Sequence, residues 1–310
     1  MIQKIPVIVG ATATGKTETG VWLAKAMNGE IISADSMQIY QKMDIGTAKP
    51  TAEEMQGIPH HLINCIKPDE AYSVARYKTE VFQTIEAILN RQKVPIIVGG
   101  TGLYINSLTL PWGFSRKDKN DAIRERLEKE SAEGKGEQLY QQLESIDPEA
   151  ARKIHPNNQR RVIRALEIYY ATGKTKTALD AEEQKTELPY AYSMMGIDMD
   201  REYLYERINQ RIDLMIEAGL IEEVKRLLEQ GYNEKLIAMK AIGYKEFMPY
   251  LKKERSLEET IRILKRDTRH FAKRQLTWFR KDQRIKWYHV DKMTDKKALA
   301  FSMLEKCNNV

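Results

Sequence analysis

The apolar run Ile5-Pro6-Val7-Ile8-Val9 leads directly into Gly10-Ala11-Thr12-Ala13-Thr14-Gly15-Lys16-Thr17. A β-branched run followed by G-x-x-x-x-G-K-[ST] dictates a strand, a tight glycine-rich loop and a helix opening on the lysine. The pattern predicts that helix from about Lys16 to Met27. In such a loop the backbone N–H groups from Gly10 to Lys16 face an anion, and the helix N-terminus adds its positive dipole end. Lys16 supplies a fixed charge, and the Thr17 hydroxyl is placed to coordinate Mg²⁺. Most loops of this form hold ATP or GTP, so the remaining residues must say which phosphate this one takes.

Four further apolar runs read as strands: Glu30–Ala34, Val94–Val98, Tyr192–Met199 and Ile285–Val290. The first three strands of the chain lie near helical stretches, as in a parallel sheet with helical crossovers. Between Phe114 and Leu188 no strand-like run occurs. There Leu127, Leu139, Leu143, Ile146, Ile154, Val162, Leu166 and Ile168 recur at broadly helical spacings. The fold expected is α/β: a P-loop core with a parallel sheet and helices on both faces, plus an inserted all-α domain. The core covers 1–111 and 190–310, and the insertion covers 112–189. After Met199 the chain reads as mostly helical, closing with the strand Ile285–Val290.

Composition narrows the class. Of 310 residues 42% are hydrophobic, enough for a sizeable core, and 30% are charged. No apolar run approaches the roughly 20 residues that cross a bilayer. The first strand begins so near the start that no signal peptide is expected. The two cysteines, Cys65 and Cys307, form no C-x-x-C pair, which argues against structural zinc and for a reducing compartment, the cytoplasm. The net charge is +6, yet Leu251–Val290 alone holds 13 Lys/Arg against 5 Asp/Glu. Such clustering fits a nucleic-acid partner or a solvated basic helix. Arg262, Arg266, Arg269 and Lys273 share one helix face there, while Leu264, Phe271 and Trp278, seven apart, are expected to form a core-facing seam. Trp278, Phe279 and Trp287 either stack bases or pack in the core, and their spacings favour the core.

Strand C-termini face the ligand crevice in open α/β sheets, which brings Asp35 and Ser36 close to the loop. Asp35 reads as a magnesium carboxylate, as a base for a substrate beside the phosphates, or as the cap of the next turn. The third strand ends in Val98-Gly99-Gly100-Thr101-Gly102-Leu103-Tyr104, where glycines permit close backbone approach and Thr101 offers a hydroxyl, or where the chain simply turns tightly.

Taken in order, GATATGKT, DSMQIY (Asp35–Tyr40), DIGTAKP (Asp44–Pro50), VGGTGLY, IHPNNQRRVIRALE (Ile154–Glu167), ERINQRIDLMIEAGLIEEV (Glu206–Val224), AIGYKEF (Ala241–Phe247) and TRHFAKRQLTWFR (Thr268–Arg280) resemble the tRNA dimethylallyltransferase family, over about residues 5 to 290. The resemblance implies dimethylallyl pyrophosphate as donor, so the loop would grip a leaving pyrophosphate. It implies N6 of adenosine 37, beside the anticodon of certain tRNAs, as acceptor. By the same resemblance Arg211, four residues after Arg207, is the distal cation on the pyrophosphate, Asp35 accepts the N6 proton, and Thr101 sits where the two substrates meet. Asp35, Ser36, Met37, Gln38, Thr101, Arg124 and Gln159-Arg160-Arg161-Val162-Ile163 would contact the tRNA. The insertion, balanced at 15 basic and 15 acidic residues from Phe114 to Leu188, then looks like a clamp with local basic patches. Mg²⁺ is the expected cofactor, and a monomer without an obligate protein partner is expected. Some relatives carry a C-terminal zinc finger whose ligands are absent here, and His60-His61 is expected to be structural. Two competing classes share the loop: a small-molecule or nucleotide kinase, which lacks here the adenine-lid signature, and a non-catalytic tRNA-binding nucleotide switch, disfavoured by the intact Lys16, Thr17 and Asp35.

Overall fold

The structure is a computed structural model of the full chain and describes residues 4–111, 120–183, 187–292 and 294–308. Six strands form one wholly parallel sheet: β1 (Ile5–Gly10), β2 (Gly29–Ser33), β3 (His60–His61), β4 (Val94–Gly99), β5 (Tyr192–Asp198) and β6 (Lys286–His289), in the order β3-β2-β4-β1-β5-β6. Every residue of β1 and β2 is buried, as expected of strands covered on both faces. The helices are α1 (Lys16–Ala26), α2 (Ala52–Met55), α3 (Val74–Asn90), α4 (Gly102–Thr109), α5 (Asp121–Glu130), α6 (Gly136–Ile146), α7 (Pro148–Lys153), α8 (Gln159–Thr172), α9 (Lys176–Glu183), α10 (Arg201–Glu217), α11 (Leu220–Glu229), α12 (Phe247–Leu251), α13 (Leu257–Phe279) and α14 (Lys296–Asn308).

The chain divides into two compact units, residues 1–105 with 190–310, and 106–189. In the first, the core gathers Ile8, Val21, Leu23, Ile31 and Ile96 from the strands and α1 with Ile208, Ile212, Val224 and Leu264 from the later helices. The second holds α5–α9, and among its described residues there is no strand. Its core is Leu127, Leu139, Leu143, Ile154, Val162, Ile163 and Leu166. The helical segment expected from 112 lies within this unit, and Phe114 and the rest of 112–119 lie outside the described residues. Asp147 ties α7 to α9: its carboxylate accepts from Ala150 N at 3.0 Å and from Thr177 N and Oγ1 at 2.9 and 2.7 Å.

Two elements escaped the sequence reading. β3 is only two residues long, a polar edge that pairs through its backbone, so periodicity carries no signal for it. His61 there meets the buried carboxylate of Glu30 at 2.6 Å. The chain also does not close on β6: α14 follows and packs on α1, with Leu299, Ala300 and Met303 buried. The seam expected on α13 is corrected as well. Leu264 is buried, but Phe271 is only half-buried and Trp278 is 37% exposed; the covered face is Thr260, Leu264, Ala272, Gln275, Leu276 and Phe279. A seven-residue repeat drifts about 20° per heptad on a straight helix, which carries Trp278 off the core face.

At the end of β4 the chain passes Ala34 so closely that a Cβ on Gly99 would lie 2.2 Å from the Ala34 carbonyl oxygen. Backbone cannot yield as a side chain can, so Gly99→Ala is expected to cost about 1–3 kcal/mol of stability. Thermal unfolding checks this, and an unchanged midpoint would contradict it.

Candidate active site

The parallel register delivers three loops to the same edge of the sheet: Gly10–Thr17 after β1, Ala34–Gln38 after β2, and Gly99–Thr101 after β4. They border a cleft of about 390 Å³ within the first unit. Thr12, Lys16, Thr17, Asp35, Ser36, Met37, Gln38, Thr101 and Arg211 all line it. Ile208, Ile212, Met215, Leu264 and Phe271, from α10 and α13, give it an apolar side.

The glycine-rich loop is held from within and from outside. Gly15 starts α1 at φ 88°, and Gly10 sits at φ 154° where a Cβ would come 2.5 Å from Ile197 O. The Thr14 hydroxyl donates to Ala11 O at 2.9 Å, and Lys16 Nζ donates to the same oxygen. From α10, Arg207 Nε donates to Ala13 O at 2.8 Å. From α13, the buried Gln275 accepts from Thr12 N at 2.8 Å and donates to Gly100 O at 2.9 Å. One side chain thus staples the loop after β1 to the loop after β4. It also corrects the expectation that every N–H from Gly10 to Lys16 faces an anion, because the Thr12 N–H is taken by Gln275.

Asp35 both caps and lines the cleft. Its Oδ1 accepts from Met37 N at 2.9 Å. Burial pushes its carboxyl up, against the pull of the Met37 N–H and of Lys16, Gln38 and Arg211. Thr101 binds the same turn: its Oγ1 accepts from Ser36 N at 3.0 Å and donates to Ser36 Oγ at 3.4 Å. Gln38 fastens the turn on the other side, donating to Thr47 O and Ala48 O at 3.4 and 3.2 Å and accepting from Ser33 Oγ at 3.1 Å. Arg211 is lowered from the ordinary guanidinium value, first by burial and then by Arg207. Burial, then Arg211, brings Lys16 down to about 7, with Asp35 opposing. Two cations and one carboxylate therefore share a poorly solvated space, where their charges act far more strongly than in water.

The remaining expected contacts belong to the helical unit. Arg160 and Arg161 are exposed at the start of α8. Arg124 pairs with Glu128 at 3.0 Å and lies 3.8 Å from the buried Glu167. Val162 and Ile163, in the stretch also expected to contact the RNA, have their side chains buried in the core of this unit. Gln159 spends its amide locally, donating to Gly136 O and Pro156 O and accepting from Ser131 Oγ. On α13 the basic stripe is partly compensated: Arg262 pairs with Glu259, Arg266 with Asp267, and Arg269 donates to Asn209 Oδ1 at 2.8 Å, while Lys273 is exposed.

Sequence reasoning missed Gln275, the loop contact of Arg207, and Lys240, Lys245 and Arg274, which also line the cleft. A glutamine inside a basic helix carries no local signal. Only the α13 register, which turns it inward beside Ala272 and Leu276, could have found it.

A parallel α/β sheet whose strand ends bring together a glycine-rich loop, an acid and buried cations has the charges and backbone to suit a phosphorylated small molecule. The IPP transferase family model matches residues 38–282. The tRNA dimethylallyltransferase of Alkaliphilus metalliredigens is 52% identical over 290 residues, 94% of this chain and 93% of that protein. That of Acetivibrio thermocellus is 50% identical over 299 residues, 96% of each. The solved full-length tRNA isopentenylpyrophosphate transferase of Bacillus halodurans superposes with a TM-score of 0.73 at 44% identity, covering 99% of this chain and 97% of that one. A eukaryotic dimethylallyltransferase solved acting on tRNA gives a TM-score of 0.84 at 32% identity, covering 99% and 80%. The chain belongs to the IPP transferase family, that of the tRNA dimethylallyltransferases.

The low value of Lys16 has a consequence in stability. The unfolded chain keeps this proton up to the ordinary lysine range near 10.5, and the folded chain releases it from about 7. Between those values the unfolded state binds more protons, so this group makes stability rise with pH and withholds it below about 7. Relative to Lys16→Met, the wild type should therefore gain up to about 1.4 kcal/mol per pH unit through that window, an upper bound because the cleft admits water. Denaturant unfolding of both proteins across the window measures it; parallel profiles would contradict it.

Proposed function

We propose that the protein transfers the dimethylallyl group of dimethylallyl pyrophosphate to N6 of adenosine 37 in the anticodon loop of certain tRNAs, releasing pyrophosphate. The carrying observation is the convergence of Lys16, Arg211 and Asp35 on one cleft with an apolar side. Family membership of nearly the whole chain supports the same reading. In finer terms, the first unit is a P-loop catalytic core, its glycine-rich loop a pyrophosphate cradle, and the helical unit an inserted clamp on the tRNA through Arg124, Arg160 and Arg161.

The chemistry follows from the charges. An exocyclic adenine amine is a poor nucleophile, but an allylic carbon bears positive charge as its C–O bond lengthens. The N6–C bond forms, the C–O bond breaks, and its electron pair leaves with pyrophosphate. Lys16 and Arg211 stabilise the charge that grows on that oxygen, an interaction strongest in the transition state. Asp35, made more basic by burial, takes the proton N6 must lose. Ile208, Ile212 and Phe271 suit the dimethylallyl group and keep water from the allylic cation. The target base must leave its stack to reach this carbon, at least cost in a single-stranded loop. Thr101, bonded to the turn at Ser36, stands where the two substrates meet.

The residues suit a magnesium ion. Among the described residues no cluster of three His, Cys, Asp or Glu is present, so a caged metal is not built here. The Thr17 hydroxyl is a hard oxygen donor on the cleft wall, and Mg²⁺ commonly takes few protein ligands beside phosphate oxygens and water. When bound, it would neutralise charge on the diphosphate.

Among the described residues no helix is long and apolar enough to cross a membrane. As a tRNA-modifying enzyme it would act in the cytoplasm, and we take it to act as a monomer.

The test uses nucleotide-free protein, purified tRNA and radiolabelled dimethylallyl pyrophosphate with Mg²⁺, with and without ATP. Label should enter tRNA equally in both; label entering only with ATP would overturn the reading. Asp35→Ala should lower the single-turnover rate at saturating tRNA by about 10²–10⁴-fold with little change in tRNA affinity. An unchanged rate would leave Asp35 as a turn cap alone.

A further inference from the structure

Glu223, on α11, is buried, yet no step of the chemistry above uses it. Its carboxylate collects four donors. Oε2 accepts from Asp44 N and Ile45 N at 2.9 Å each. Oε1 accepts from Gly46 N at 3.1 Å and from the Tyr244 hydroxyl at 2.7 Å. Three successive backbone N–H groups converging on one anion form a concavity usually filled by a ligand; here a protein side chain fills it. The fit allows no slack: a Cβ on Gly46 would lie 2.5 Å from the Tyr244 ring, and one on Gly243, at φ 97°, would lie 3.2 Å from Gly46 O.

The loop so held is part of the site. Gly46, Thr47 and Ala48 line the cleft. The carbonyls of Thr47 and Ala48 accept from Gln38, three residues after Asp35 in the same turn. A continuous chain of contacts thus runs from Glu223 through 44–48 and Gln38 to the proton acceptor. At its other end Glu223 stands on α11, which follows α10, the helix bearing Arg211, after the short turn at Gly219. We infer that Glu223 is a positioning residue, which with Tyr244 clamps the 44–48 loop and so sets the spacing between the acceptor wall carrying Asp35 and the leaving-group cation Arg211. This rests on the transfer reaction proposed above. A carboxylate suits the task because all four partners donate. The amide of glutamine would turn one N–H₂ group toward donors and release part of the loop.

Glu223→Gln and Tyr244→Phe test it in the full chain, with single-turnover and steady-state transfer of radiolabelled dimethylallyl to tRNA. Misplacing reacting groups from a distance slows chemistry without removing binding contacts. Glu223→Gln should lower kcat roughly tenfold to a hundredfold, with KM for donor and tRNA within about twofold. Tyr244→Phe keeps the ring and the three backbone contacts, and should fall less, by about threefold or more. It is decisive if Glu223→Gln does not fold. Rates per folded molecule within about twofold of wild type would overturn the inference, as would a loss confined to KM. Failure of the wild type itself to label tRNA would instead bring down the proposed function and this inference with it.

Discussion

The pairing of β1 with β4, which sets Val9 opposite Gly99, is the constraint on which the rest of the site depends. It lays the loop after β1 beside the loop after β4. Pairing of β2 with β4 then brings Ala34 against Gly99, with Ala34 N donating to Val98 O at 2.8 Å and Thr101 N to Ala34 O at 3.1 Å. Such close approach leaves no room for a side chain at Gly99, while at Gly100 a Cβ would lie 2.3 Å from Gln275 Nε2. Gln275 then locks the arrangement from α13. Asp35 and Thr101 sit on loops, Lys16 at the start of α1 and Arg211 on α10, and each loop is fixed by strands or by side chains from a helix, as a preorganised site requires.

The site costs stability to build. Two cations and a carboxylate lose water in it, which pulls Lys16 and Arg211 down and pushes Asp35 up. Groups left short of solvation in this way respond strongly to charge that develops beside them. In the proposed reaction a departing diphosphate would restore what burial removes from Lys16 and Arg211, and a proton leaving N6 would do so for Asp35. The same desolvation that weakens the fold locally is what makes these residues useful.

What the sequence disclosed follows the range of the interactions. The strand–loop–helix unit at Ile5–Met27 was legible because its geometry is local, and Asp35 because it ends a strand beside that loop. Arg211 was legible only through family resemblance: spacing put it on one face with Arg207, but their tasks differ, Arg207 bracing the loop at Ala13 O and Arg211 lining the cleft. Glu223, Tyr244 and Gln275 were not legible as site residues, because each acts across a contact between elements far apart in the chain. Val162 and Ile163 carry two signals at once. They lie in a stretch matched to RNA contact, but helical periodicity puts them inward, and the unit needs them for its core.

The central claim is that Lys16 and Arg211 hold a diphosphate as leaving group. Product inhibition tests it most directly. Inorganic pyrophosphate with Mg²⁺ should inhibit transfer competitively against dimethylallyl pyrophosphate, and Lys16→Met and Arg211→Met should each weaken that inhibition. Pyrophosphate that fails to compete with the donor, or competes equally well in both variants, would contradict it.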